Sequence, residues 1–86
     1  MLVSVIIPYF NDELNIKKSV SSVLDQTYKK IEILIIDDEN TIHSNNVLKK
    51  YKNIKKIKIL KNNSNYGVAL ARNKGIKNSK GELVAF

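Results

Sequence analysis

Ile31-Glu32-Ile33-Leu34-Ile35-Ile36-Asp37-Asp38 is the stretch on which the fold turns. It is apolar from Ile31 to Ile36 except at Glu32, and it ends abruptly on two carboxylates. A strand with one wet face alternates apolar and polar residues, whereas a strand buried on both faces is apolar almost throughout. The second pattern belongs to parallel sheets covered by helices. The start of the chain repeats it: Leu2-Val3-Ser4-Val5-Ile6-Ile7 is apolar except at Ser4. Pro8 is expected to end that strand, because proline cannot donate to a ladder.

Between these two strands lies a helical pattern. Asn11 is the expected N-cap, with Asp12 and Glu13 in a first turn where the helix dipole favours anions. Ile16, Val20, Val23, Leu24 and Thr27 recur at helical spacing and predict an amphipathic helix over residues 12–26. After the acidic pair, residues 41–51 predict a weaker helix with Val47, Leu48 and Tyr51 inward. Lys56-Ile57-Lys58-Ile59-Leu60 alternates as a half-exposed edge strand does. Asn62-Asn63-Ser64-Asn65-Tyr66-Gly67 is a loop by composition, and residues 68–78 predict a third helix with Val68, Ala71 and Ile76 inward. Gly81 turns the chain into a last strand, Glu82-Leu83-Val84-Ala85-Phe86.

Strand–helix alternation with short connections is the βαβ pattern, whose crossovers are right-handed. The expectation is an α/β chain with a Rossmann-like open parallel sheet in the order 3-2-1-4 and helices on both faces, two on one and one on the other. Its topological switch point falls between the first and fourth strands, and ligands of such sheets bind there, beyond the carboxyl ends of the strands.

Bulk properties narrow the class. A chain of 86 residues is one domain or a piece of one, and 43% hydrophobic with 27% charged residues is too apolar for disorder. There is no cysteine, which excludes a disulfide framework and a thiolate metal site and fits a reducing cytoplasm. No apolar stretch approaches the ~20 residues of a membrane span. The N-terminal run lacks the basic leader and small-residue cleavage site of a secretion signal. The net charge is +7, carried by lysines and a single arginine, Arg72. A polyanion partner is one reading of that charge; a lysine-rich solvated surface is the commoner one. Lys49, Lys50, Lys52, Lys55, Lys56, Lys58 and Lys61 form only a loose cluster, without the interleaved aromatics of a nucleic-acid reader. No nucleic-acid partner is expected.

Three segments fall at the carboxyl edge of the expected sheet: Pro8-Tyr9-Phe10-Asn11, Asp37-Asp38-Glu39-Asn40, and Asn65-Tyr66-Gly67 leading to Arg72. A dinucleotide-binding turn needs glycines after the first strand so that pyrophosphate can reach the helix N-terminus. An aromatic pair stands there instead, which suits a flat ring packed on Phe10. The carboxylates of Asp37-Asp38-Glu39 can accept charge-assisted bonds from a base N–H or from ribose hydroxyls. The competing reading is that one of them caps the next helix or faces water. His43, the only histidine, is assigned no role.

These residues resemble a known family. Val3-Ser4-Val5-Ile6-Ile7-Pro8-Tyr9-Phe10-Asn11 looks like the opening of family 2 glycosyltransferases: a strand, then proline, a variable residue, an aromatic and asparagine. Ser19-Val20-Ser21-Ser22-Val23-Leu24-Asp25-Gln26-Thr27-Tyr28 resembles the end of that family's first helix, and Ile33-Leu34-Ile35-Ile36-Asp37-Asp38 its second strand and acidic pair. Asn65-Tyr66-Gly67, Ala71-Arg72-Asn73-Lys74-Gly75-Ile76 and Gly81-Glu82-Leu83-Val84-Ala85-Phe86 resemble its third helix and fourth strand. Each piece alone is weak; together, in order and spacing, they cover essentially the whole chain.

The resemblance implies the N-terminal, nucleotide-diphosphate-sugar-binding part of a GT-A fold, with a UDP-sugar favoured and transfer to an acceptor in polysaccharide, lipopolysaccharide or glycoconjugate synthesis. It implies that Phe10 lies against the base, that Asp38 accepts from it, and that Arg72 lies near the diphosphate or the acidic metal site. Pro8, Phe10, Asn11, Asp37, Asp38 and Arg72 are the nucleotide-binding candidates. Two departures stand out. Glu39-Asn40-Thr41 replaces the family's glycine or asparagine followed by serine and threonine, adding a negative charge beside the pocket. The chain also stops at Phe86, just before the Asp-x-Asp motif that holds Mn²⁺ or Mg²⁺ in the family, so no metal ligand or catalytic residue is assigned and the 86 residues alone are expected to be inactive. The full-length protein is expected in the cytoplasm, peripheral to the inner face of the membrane. The apolar Leu83-Val84-Ala85-Phe86 after Glu82 is expected to drive self-association through residues 82–86. The alternative is a stand-alone flavodoxin-like binding or regulatory module, though the response-regulator version carries its acidic pair after the first strand rather than the second.

Overall fold

The structure is a computed structural model that describes residues 2–39, 41–61, 81 and 83–85. Its elements are β1 (Val3–Tyr9), α1 (Glu13–Leu24), β2 (Ile31–Asp37), α2 (Ile42–Leu48) with a 3-10 turn at Lys49–Tyr51, β3 (Ile57–Lys61) and β4 (Leu83–Ala85). The strands form one sheet in the order β3-β2-β1-β4, and every neighbouring pair is parallel. The α/β class with a parallel sheet is the one expected from the two apolar runs.

Register divides β1 and β2 into two faces. Val3, Val5, Ile7 and Tyr9 lie opposite Ile31, Ile33, Ile35 and Asp37, while Ser4, Ile6 and Pro8 lie opposite Glu32, Leu34 and Ile36. Both described helices cover the first face: Ile16, Val20 and Val23 of α1 and Val47, Leu48 and Tyr51 of the α2 segment join Tyr9, Ile33, Ile35 and Ile57 in one core. The second face is also buried, with Ile6, Leu34 and Ile36 packed together and Leu60 against them. Burial on both faces is the physical reason the strands are so uniformly apolar. The loop expected over residues 62–67 and the third helix expected over 68–78 lie outside the described residues.

Three sequence-based boundaries need correction. Pro8 does not end β1; it sits inside the strand. The Val3 N–H donates to the Lys30 carbonyl across the β1–β2 ladder, and alternate residues donate to the same neighbour. Pro8, an odd number of residues further on, therefore directs its nitrogen to the opposite side. Among the described residues β4 pairs there with Val3, Ser4 and Val5, so the missing N–H breaks no rung among them. The N-cap of α1 is Asp12, not Asn11. Asn11 is in the left-handed region (φ 48), whereas Asp12 has the non-helical backbone of a cap (φ -141, ψ 70) and its carboxylate accepts from the Asn15 N–H at 3.4 Å. The helix also ends at Leu24, leaving Thr27 exposed outside it.

The weak second helix is held at its start by a reciprocal cap. Thr41 Oγ1 accepts from the Ser44 N–H at 3.1 Å, and Ser44 Oγ accepts from the Thr41 N–H at 2.9 Å. Its sequence, Ile42-His43-Ser44-Asn45-Asn46, is made of indifferent helix formers, and after Leu48 the helix tightens into the 3-10 turn.

The polar break in β1 has a structural purpose. Ser4 Oγ is wholly buried, donates to Glu32 Oε2 at 2.5 Å and accepts from the Gly81 N–H at 2.8 Å. A Cβ at position 81 would stand 2.3 Å from that oxygen and 2.6 Å from the Ser4 nitrogen, so only glycine fits where the chain enters β4. The self-association expected through residues 82–86 falls on this strand, with positions 82 and 86 outside the described residues.

Candidate functional site

The site is built by the carboxyl ends of two neighbouring strands. Because Tyr9 lies opposite Asp37 in the register, Phe10 and Asp38 leave the sheet side by side. The Asp38 N–H donates to the Tyr9 carbonyl at 2.9 Å and carries the pairing one step past β2.

Alternation separates the aromatic pair. Tyr9 points into the helix-covered core and is 1% exposed, while Phe10 is 53% exposed at the sheet edge. Burial, then the carboxylates of Glu39, Glu13 and Asp37, push the Tyr9 phenol above its ordinary value. Its hydroxyl has no hydrogen-bond partner among the described residues; the Asp12 backbone lies near enough to oppose the shift weakly but outside hydrogen-bond geometry.

The same alternation gives the two aspartates different surroundings. Asp37 shares Tyr9's face and is 0% exposed, with Oδ2 accepting from Ser44 Oγ at 2.8 Å beneath the first turn of α2. Asp38 is 4% exposed, on the turn beside Phe10. Asp37 neither caps α2, whose N-cap is Thr41, nor faces water; it braces the helix start through the Ser44 hydroxyl.

Glu39 is not a loose charge. Its Oε1 accepts from the Asn11 N–H at 2.9 Å, and its Oε2 accepts from Thr41 Oγ1 at 2.5 Å and lies 3.1 Å from His43 Nδ1. The Thr41 hydroxyl is the largest cause holding its carboxyl below the usual value, with His43 and the Asn11 N–H adding to it. His43, assigned no role on sequence, is thus a neighbour of this carboxylate. The Thr41-x-x-Ser44 spacing was the available signal for the cap that also reaches Asp37; nothing in composition pointed to the bond between Glu39 and Asn11.

Of the sequence candidates, Pro8, Phe10, Asn11, Asp37 and Asp38 come together on adjacent strand ends. Arg72, Asn40 and Asn65-Tyr66-Gly67 lie outside the described residues. Among the described residues no three acids or histidines converge so as to hold a metal ion. A cavity of about 500 Å³ opens elsewhere, between α1 and the outer edge of β1, lined by Ile6, Pro8, Lys18, Ser19 and Ser22 among others. No helix among the described residues is long and apolar enough to cross a membrane.

Residues 4–86 match the model of the family described as glycosyl transferase family 2. The chain is 44% identical over 88 residues to the poly(ribitol-phosphate) β-N-acetylglucosaminyltransferase TarP of Staphylococcus aureus, covering 98% of this chain and 27% of that protein. It thus spans about a quarter of that relative's length. The crystal structure of S. aureus TarS residues 1–349 in complex with UDP-GlcNAc superposes with a TM-score of 0.81 at 28% identity, over 98% of this chain and 25% of that one. A mannosyltransferase from Pyrobaculum calidifontis, solved with GDP-Man and Mn²⁺, superposes with a TM-score of 0.82 at 22% identity, over 95% of this chain and 25% of that one, a likeness of fold alone.

Proposed function

The chain belongs to glycosyl transferase family 2, and from that premise we propose that residues 1–86 form the nucleotide-diphosphate-sugar-binding portion of a GT-A glycosyltransferase whose base site is the paired end of β1 and β2. The observation that carries this reading is the pairing itself: an exposed aromatic, Phe10, and a nearly buried carboxylate, Asp38, emerge side by side from adjacent parallel strands. A planar base stacks offset on the Phe10 ring, gaining apolar contact and the favoured geometry of aromatic pairs. The Asp38 carboxylate, itself nearly buried, accepts a charge-assisted bond from the base N–H. The N3–H of uracil presents that donor, and TarS, crystallised with UDP-GlcNAc, supports a UDP-sugar as the donor.

The remaining candidates take supporting places. Pro8 fixes the chain before Phe10, and Asn11 lies where a ribose hydroxyl would reach. Asp37, wholly buried against Ser44, holds the start of α2 in position rather than touching ligand. Arg72 supplies a guanidinium for the diphosphate. The Mn²⁺ or Mg²⁺ of the full-length enzyme would neutralise charge on the leaving group, with ligands outside the described residues. The complete protein transfers a sugar to an acceptor in polysaccharide or glycoconjugate synthesis. Exposed lysines at positions 49, 50, 52, 55, 58 and 61 supply positive charge for an anionic membrane surface.

Replacing Asp38 tests the assignment. Asp38→Ala should weaken UDP binding to this chain by about 1–3 kcal/mol, the range for a lost hydrogen bond to a charged group. Calorimetry giving the wild-type affinity for Asp38→Ala would remove Asp38 from the site.

A further inference from the structure

We infer that Glu39 is a positioning residue for nucleotide binding: its carboxylate ties the turn after β1 to the turn after β2 and so fixes the spacing between Phe10 and Asp38. The inference rests on the base-site reading above, but its evidence is separate. Along β1, alternate N–H groups from Val3 onward serve the β2 ladder, and the next donor in that phase beyond Tyr9 is Asn11. By then the backbones have diverged, and the Glu39 side chain takes the place of the missing carbonyl, its Oε1 accepting the Asn11 N–H at 2.9 Å. The ladder thus gains a side-chain rung immediately after the two residues that frame the base.

The backbone gives this rung its importance. Asn11 has φ 48, a left-handed conformation that asparagine tolerates at some cost, and it is the positive-φ non-glycine residue among those described. That turn follows directly on Phe10, which is half exposed. A bond to the Asn11 N–H therefore steadies the aromatic platform from behind. On the other side, Oε2 is held by Thr41 Oγ1 and His43 Nδ1 at the start of α2. With these three donors around it the Glu39 side chain is 11% exposed, so its charge is largely satisfied before any diphosphate approaches. This accounts for a carboxylate being tolerated where the family resemblance calls for glycine or asparagine. Thr41 and His43 belong to α2, so any movement of that helix start is transmitted to the Asn11 turn.

The test compares Glu39→Ala, Glu39→Asp and Glu39→Gln in this chain, measuring affinity for UDP and for uridine by calorimetry and melting temperature alongside. Asp is too short to span from Thr41 to Asn11, and Ala spans nothing. Gln keeps an oxygen for the Asn11 N–H and can donate its amide to Thr41. The expected result is that Ala and Asp weaken UDP and uridine alike by about tenfold, the scale of one lost charge-assisted bond, while Gln stays within about threefold of wild type. Equal losses for uridine and UDP locate the effect on the base side. If Ala fails to fold, Asp against Gln carries the comparison. A role in stability alone would lower the melting temperature of Ala and Asp while leaving both affinities at the wild-type level, and that result overturns the inference. So does a Gln variant as weak as Ala, which would mean that charge rather than reach matters. Wild-type chain that binds neither uridine nor UDP would overturn the base-site reading itself, a different failure from unchanged affinity in the variants.

Discussion

Tyr9 shows how a single oxygen can be carried without a partner. Its ring fills the core between α1, α2 and the sheet, while its hydroxyl finds no hydrogen bond among the described residues. Replacing an unsatisfied buried group with an apolar one of the same shape is close to neutral, so Tyr9→Phe should fall within about 1 kcal/mol of wild type at neutral pH, or above it. The pH dependence adds a sign. The folded-state pKa of Tyr9 is raised above 10.0, so its contribution is present below that value and is lost as pH rises through the higher folded one. Urea denaturation should therefore show wild type losing more stability than Tyr9→Phe above pH 10.0; parallel losses would contradict the desolvation account. The sequence placed Tyr9 and Phe10 together as a pair, and it is the two-residue period of the strand that sends one inward and the other out. The same period divides Asp37 from Asp38. The sequence already put the ligand ring on Phe10, but the physical reason, Tyr9 turned into the core, appears only once β1 continues through Pro8.

At the level of elements, the strands and the inner faces of the helices were legible because burial on two sides leaves an unmistakable apolar run, and Val47, Leu48 and Tyr51 keep helical spacing even where the helix tightens. The ends were less legible because they depend on hydrogen bonds between distant residues. Nothing local to Ser4 announces that its hydroxyl receives Gly81, 77 residues away. That contact makes a sharp prediction: Gly81→Ala puts a methyl into both the Ser4 oxygen and the Ser4 backbone nitrogen, and the backbone cannot move aside cheaply. The substitution should cost roughly 1–3 kcal/mol, the usual range for overpacking, seen as a lower urea midpoint. An unchanged midpoint would mean that β4 is not anchored through Ser4.

For the molecule as a whole, the parallel sheet, the family and the pairing of two strand ends support the proposal of a nucleotide base bound at Phe10 and Asp38. A net charge of +7 supplies the obvious rival, since a diphosphate would be drawn to any cluster of lysines. The two differ in place. Amide resonances of the isotopically labelled chain, followed while UDP is added at moderate salt, report where the ligand goes. Binding at the base site should give saturable shifts concentrated at Phe10, Asn11, Asp38 and Glu39, with uridine reproducing them in the same residues. Shifts confined to the lysines between positions 49 and 61 and abolished by salt, with Phe10 and Asp38 unmoved, would contradict it.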